Sequence, residues 1–150
     1  DVNIQAEQWR WLGGVRYSIS AIINIMAFFK KRRLQLNLAD NLVDSNCLFF
    51  VALNTIHTGK GMKMAPHAKL NDGLIDTILV RDVSKLRAVK IFTQVFFGNH
   101  IFDPSVEYQQ VKTFSIHTKG DLLNIDGENT GHTPIDVSVV PNALQIFADL

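Results

Sequence analysis

VEYQQVKTFSIHTKGDLLNIDGENTGHTPIDVSVV, residues 106–140, is the stretch that decides the fold class. Its apolar residues alternate with polar ones over short spans, the period of a half-buried strand. "VEYQQVKTFSIHT" (106–118), "DLLNID" (121–126) and "PIDVSVV" (134–140) read as strands, and "ALQIFA" (143–148) continues the series. "KGD", "GENTGHT" and "PN" separate them at hairpin distances, with Gly, Asn and Pro serving as turn residues. A phase slip at Gln109 and Gln110 predicts a bulge or a break between two short strands. "DGE" (126–128) is first of all turn chemistry, because Asp-Gly between apolar runs is a strong hairpin signal.

Upstream, "SKLRAVKIFTQVFFG" (84–98) reads as a helix with Ser84 as N-cap and Gly98 just past its end. "LIDTILV" (74–80) and "CLFFVALN" (47–54) are strands, joined by the long Gly-, Lys- and His-containing loop "TIHTGKGMKMAPHAKLNDG" (55–73). Leu34, Leu36 and Leu38 again follow period two. From Trp9 to Phe29 the period is helical: Leu12, Val15, Ile19, Ile22, Ile23, Met26 and Phe29 recur every three or four residues. Trp11, Tyr17, Ile25 and Phe28 lie off that stripe, so this helix is apolar nearly all round. The basic run Lys30, Lys31, Arg32 and Arg33 suits its C-terminus. Many short strands, two helices and no βαβ alternation predict a mainly β (α+β) fold, an antiparallel sandwich with two attached helices.

At 150 residues the chain fits one domain able to bury about two-thirds of its unfolded surface. A net charge of +1 gives no global field that would favour nucleic acid. The single cysteine, Cys47, lies in an apolar run and is expected to be a buried, inert thiol in a reducing compartment. "DVNIQAEQWRW" has no basic start followed by an apolar core, so no signal peptide is read there. The absence of an initiator Met suggests a piece of a longer chain. "YSISAIINIMAFF" (17–29) is too short and too polar to span a bilayer. "TGKGM" lacks the spacing of a phosphate loop, and His57, His67, His100, His117 and His132 show no metal-ligand spacing.

Several pieces in one order carry more information than any of them alone. "DVNIQAEQWRWLGGVRYSI", "NTIHTGKGMKMAPHAKLNDGLID", "GNHIFDPSV", "NIDGE" and "VVPNALQIF" together resemble the C-terminal domain of the lipid kinases that include bacterial diacylglycerol kinases, sphingosine kinases and ceramide kinases. The resemblance covers essentially the whole chain. The opening "E-x-x-R-W-L-G-x-x-R" is more similar to the eukaryotic sphingosine and ceramide kinase branch. The resemblance implies the C-terminal β-sandwich, residues 1–150, of a two-domain enzyme whose N-terminal ATP-binding domain is not part of this chain. It implies ATP and Mg²⁺ as cofactors, a sphingoid, ceramide or diacylglycerol hydroxyl as acceptor, and a cytoplasmic, peripherally membrane-associated enzyme. The other domain, the lipid and the membrane surface are its partners, nucleic acid is not, and a homodimer is left open. The fragment alone is expected to be inactive. The rival reading is a non-catalytic module that binds a lipid or a protein partner.

Residue by residue, the resemblance selects Glu128 as the catalytic carboxylate, with Asp126 beside it. Such a group serves phosphoryl transfer as a base near the attacking hydroxyl, or as part of the nucleotide network. Arg10 and Arg16 match positions that contact nucleotide phosphate, which the guanidinium fork suits. "KLNDGL" matches a structural Mg²⁺ segment, making the Asp72 carboxylate and the main-chain carbonyls of Lys69 and Leu74 the implied ligands. Ile19, Ile22 and Ile23 match the entrance of the lipid pocket, where the adjacent basic run would favour an anionic membrane. Asn3 stands where sphingosine kinases carry an aspartate for the sphingoid ammonium. Its neutral amide shifts the expectation toward ceramide or diacylglycerol. "GKGM" replaces the family's "GGGM", placing Lys60 in the loop near the sandwich rim.

Overall fold

The computed structural model describes residues 31–39, 41–59 and 61–145. The expected helix Trp9–Phe29, with Asn3, Arg10, Arg16, Ile19, Ile22 and Ile23, lies outside the described residues, as do Lys60 and Ile146–Ala148. The described part contains eight strands: β1 (Arg32–Leu38), β2 (Asn41–Leu53), β3 (Ile75–Arg81), β4 (Val106–Val111), β5 (Thr113–Ile116), β6 (Leu122–Ile125), β7 (Glu128–His132) and β8 (Ile135–Ser138). It has one α-helix, α1 (Lys85–Val95), and a short 3-10 turn at Asn99–Phe102. None of its helices is long and apolar enough to cross a membrane.

Six strands form an antiparallel sheet in the order β4-β3-β2-β1-β5-β8, and β6 with β7 forms a separate hairpin. This order forces the sheet to curl. β4 and β5 are four positions apart, which in a flat sheet is about 19 Å at ~4.8 Å per strand. Only Lys112 joins them, and the two Cα–Cα steps from Val111 to Thr113 reach at most roughly 7 Å. The sheet therefore folds over on itself into two layers, turning a corner at Lys112.

Between the layers lie Leu34, Leu36 and Leu38 of β1, with Cys47, Leu79, Val111, Phe114 and Ile116. These are the inward residues of the period-two pattern. Helix α1 and the 54–74 loop cover the outer face of β2, β3 and β4. There Ala88 and Ile91 of α1 and Ala65 and Ala68 of the loop meet Ile78, Val80 and Val106. Strand β3 is thus buried on both faces, which is why "LIDTILV" is nearly continuously apolar. Ser84 caps α1 through its Oγ, which accepts from the Arg87 amide at 3.3 Å. Gly98 closes the other end with φ 73°, a left-handed conformation that glycine adopts at little cost.

Several expectations shift. The break in 106–118 falls at Lys112, and Gln109 and Gln110 sit in regular register opposite Thr77 and Asp76. The irregularity lies instead in β2, between Cys47 and Phe49. β2 begins at Asn41, six residues before "CLFFVALN", because pairing with β1 satisfies the backbone of a polar half that hydrophobicity alone does not mark. "GENTGHT" is mostly strand β7 rather than turn. Ala143–Gln145 carries no strand. Arg32 and Arg33 belong to β1, not to a helix end.

Candidate functional site

Hairpin β6–β7 carries the "DGE" carboxylates. Its loop is only Asp126 and Gly127, with φ 51° and 93°, so that Ile125 faces Glu128 directly. Positive φ at both loop positions is the type I′ turn whose twist matches paired strands, and Asp-Gly is its preferred filling. Glu128 is then the first residue of β7 and is exposed, whereas Asp126 points from the turn itself. The two carboxylates do not share one strand face, since Asp126 is outside the regular alternation.

The hairpin is anchored at its base. Gly120 and Thr133 exchange backbone bonds with Thr133 and Asp121 (3.1 and 2.9 Å), and Thr133 Oγ1 accepts from the Asp121 amide at 3.0 Å. The Asp121 carboxylate accepts from the Arg32 guanidinium, which ties the hairpin to β1. Lys31 pairs with Asp82, and Arg33 grips Asp44 bidentately at 2.7 and 2.9 Å. That pair pulls the exposed Asp44 carboxyl below its usual range, first through the Arg33 hydrogen bond and then through Gln35. Lys31, Arg32 and Arg33 of the basic run are therefore each engaged by a carboxylate.

A second group surrounds an open pocket of about 460 Å³ lined by Ile56, Pro66, His67, Ala68, Lys69, Asp72 and Gln110. Asp72 Oδ1 accepts from the Leu74 amide at 2.9 Å, an Asx turn that Gly73 continues at φ 69°. The turn role and a cation role are compatible, because a carboxylate has further lone pairs beyond the one occupied. Of the three residues implied as metal ligands, Asp72 and Lys69 line this pocket and Leu74 is not among its lining residues. Among the described residues no set of three or more His, Cys, Asp or Glu side chains could hold a metal. A hard cation held there would have a single protein carboxylate and would keep most of its waters. Glu128 and Asp126 do not line this pocket.

Behind it lies a buried polar network that sequence patterns passed over. Asp76 is 0% exposed, and its Oδ1 accepts from the Tyr108 hydroxyl and from Gln110 Nε2 (3.0 Å). The second oxygen, Oδ2, is buried with no hydrogen-bond partner. Burial, then the Asp76 hydrogen bond and charge, push the Tyr108 phenol well above its ordinary range. His67 stacks edge-on against Tyr108 at 5.6 Å, which links the network to the pocket wall. The available signal was an aspartate inside the apolar strand "LIDTILV". His100, also 0% exposed, bonds the Met64 carbonyl through Nε2 at 2.9 Å and pins the long loop to the end of α1. Its pKa is lowered by burial, against the raising influence of that bond. Burial, followed by the Asp121 charge, pushes the Cys47 thiol up, consistent with an inert core cysteine.

Comparison with known proteins gives a consistent answer. Residues 1–148 match the model of the YegS C-terminal NAD kinase beta sandwich-like domain. "Diacylglycerol kinase" of Mycobacterium tuberculosis is 29% identical over 148 residues, covering 97% of this chain and 48% of the relative. "Probable lipid kinase YegS-like" of Chromohalobacter salexigens is 31% identical over 142 residues, covering 93% and 45%. The chain spans about half the length of the curated relatives it matches. A crystal structure of a diacylglycerol kinase from Bacillus anthracis superposes with a TM-score of 0.61 at 12% identity, covering 80% of this chain and 43% of that one. A further solved structure from that organism reaches 0.70 at 17% identity over 93% of this chain and 46% of its own. At these identities the structural likeness carries the fold alone.

Proposed function

The chain belongs to the YegS/diacylglycerol kinase family of lipid kinases, as its C-terminal sandwich-like domain, and from that premise we propose that it is the lipid-side half of an ATP-dependent kinase acting on a lipid hydroxyl. The observation that carries the reading is the match over residues 1–148 in which "DGE" sits at an anchored hairpin turn. A neutral acceptor, diacylglycerol or ceramide, suits the uncharged Asn3 better than a sphingoid base does.

Glu128 is exposed on a hairpin held at its base, where it can meet a partner domain and a lipid headgroup. In the proposed reaction its carboxylate would take the proton of the acceptor hydroxyl as that oxygen bonds to the terminal phosphorus, whose bond to the bridging oxygen breaks to release ADP. Asp126 raises the local negative charge at the same turn. Arg10 and Arg16 would hold nucleotide phosphates, and Asp72 with the carbonyls of Lys69 and Leu74 would hold Mg²⁺. When bound, ATP supplies the phosphoryl group and Mg²⁺ offsets its charge.

The test uses the intact protein with Mg·ATP and a panel of diacylglycerol, ceramide and sphingosine acceptors, alongside Glu128→Gln. Loss of a positioned general base lowers kcat by on the order of 10²- to 10⁴-fold. Undiminished turnover in Glu128→Gln would remove this residue from the mechanism. Binding of lipid without phosphorylation of any acceptor would favour the non-catalytic module.

A further inference from the structure

We propose that the outward face of α1 and the turn that follows it form the surface by which the protein docks on an anionic lipid bilayer. Helix α1 buries one side, Ala88, Ile91 and Val95, against the sheet. An amphipathic helix normally turns polar residues to solvent. Here the opposite stripe is Leu86, Lys90, Thr93 and Phe97, spaced four, three and four residues apart. Leu86 is 78% exposed and Phe97 75%. Phe97 continues the stripe because its amide still bonds back to Gln94 at 3.1 Å. Flanking them, Val89, Phe92 and Phe96 are only half-buried, and the last two pack edge-to-face at 5.6 Å. Phe102 adds a third large apolar side chain at 76% exposure. The adjacent Asp103 is bound to Arg87 of the first helical turn (2.9 Å), which draws Phe102 alongside α1.

Charge selects the occupant. From Lys85 to Phe102 the chain has three Lys or Arg residues and no acidic one, and of the three Arg87 is paired with Asp103. Lys90 sits within the exposed stripe. Lys63 adjoins its far end, with its amide bonded to the Val95 carbonyl at 3.1 Å and its Cβ close to Gly98. Neither lysine has an ion-pair partner among the described residues, whereas Lys31, Arg32 and Arg33 are all paired. Large apolar side chains with unpaired lysines and no carboxylate match the interface of a negatively charged leaflet. A protein partner of mixed charge would have no use for so one-sided a face. The surface stands on its own geometry, and it rests on the lipid-kinase reading only for its purpose of bringing the site to bilayer substrate.

The experiment measures partition of the intact protein into vesicles of phosphatidylcholine alone and of phosphatidylcholine with 30 mol% phosphatidylserine, about 0.3 of the lipid being charged. Turnover of a short-chain lipid dispersed in detergent is followed in parallel. The parent should bind the serine-containing vesicles and release them at high salt. Lys90→Gln should weaken binding about five-fold, the loss expected from one interfacial charge. The triple variant Leu86→Gln, Phe97→Gln, Phe102→Gln should lose it by more than roughly ten-fold. Both variants should keep detergent-phase turnover. Unchanged partition of either variant, or equal binding of the parent to neutral vesicles, overturns the proposal. So does loss of detergent-phase turnover in the triple variant, which would assign the face to another part of the protein. Absence of turnover on every lipid, with charge-dependent partition intact, would instead sink the kinase reading and leave this surface standing.

Discussion

Replacing Tyr108 by Phe should destabilise the protein far more than the loss of one hydroxyl at a half-buried site suggests. Asp76 is fully buried, and Tyr108 and Gln110 both donate to the same oxygen, Oδ1. Oδ2 has no partner, so the carboxylate already lacks part of the solvation it had in water. A hydrogen bond to a charged group is worth about 1.5–3 kcal/mol net. Breaking a buried pair outright costs about 3–5 kcal/mol, a ceiling not reached while Gln110 still donates. The expected cost of Tyr108→Phe is therefore about 2–3 kcal/mol. At roughly 2–4 °C per kcal/mol for a domain of this size, Tm should fall by about 4–12 °C. Asp76→Asn in the Tyr108→Phe background should recover part of that loss, because it removes the charge the missing donor leaves exposed. Urea unfolding of the intact protein, run as a double-mutant cycle, measures both. A cost under about 0.5 kcal/mol with additive variants would refute the reasoning, since it would mean that Tyr108 and Asp76 are not coupled. The same network sets an alkaline limit. The native state holds the Tyr108 proton at a pH where the unfolded chain, near 10.0, gives it up. Stability must therefore fall as pH rises above that value, and Tyr108→Phe should lack this slope.

His100 predicts the acid side. It is kept neutral by burial while the unfolded chain binds a proton near 6.5, so stability falls as pH drops below that value. Urea midpoints between neutral and mildly acid pH should show the decline, and a His100→Gln variant should not. Arg32→Gln removes an exposed ion pair and should change unfolding by less than about 1 kcal/mol. Because that pair ties the β6–β7 base to β1, amides of Asn124 and Asn129 should nevertheless exchange faster with solvent, and unchanged protection would argue against the anchor. Gly127→Ala meets no atom within 4 Å, so its cost is purely the φ of 93° and should be about 1 kcal/mol, read from hairpin exchange.

The strands were legible where burial is simple. "LIDTILV" and the Leu34–Leu36–Leu38 alternation announce themselves because each of those residues has a buried side to reach. The Ser84 and Gly98 helix boundaries were equally readable, since capping is local chemistry. The polar half of β2 was not, because its order derives from backbone bonds to β1 and from the Arg33–Asp44 grip, which involve no hydrophobic signal. The basic run was misplaced for the same reason: its partners Asp82, Asp44 and Asp121 lie 11 to 89 residues away in sequence.

Of the proposed site, the sequence determined the residue types and their order: "DGE" at a tight turn and "KLNDG" before a strand. These depend on neighbours within a few positions along the chain. Only the tertiary structure decided that Asp126 and Glu128 split between turn and strand, that Asp76 is buried against Tyr108 and Gln110, and that Lys31, Arg32 and Arg33 of the basic run meet carboxylates far away in sequence. Those outcomes follow from a sheet that curls at Lys112 and brings distant segments into contact, and a pairing of that kind is invisible to any local pattern.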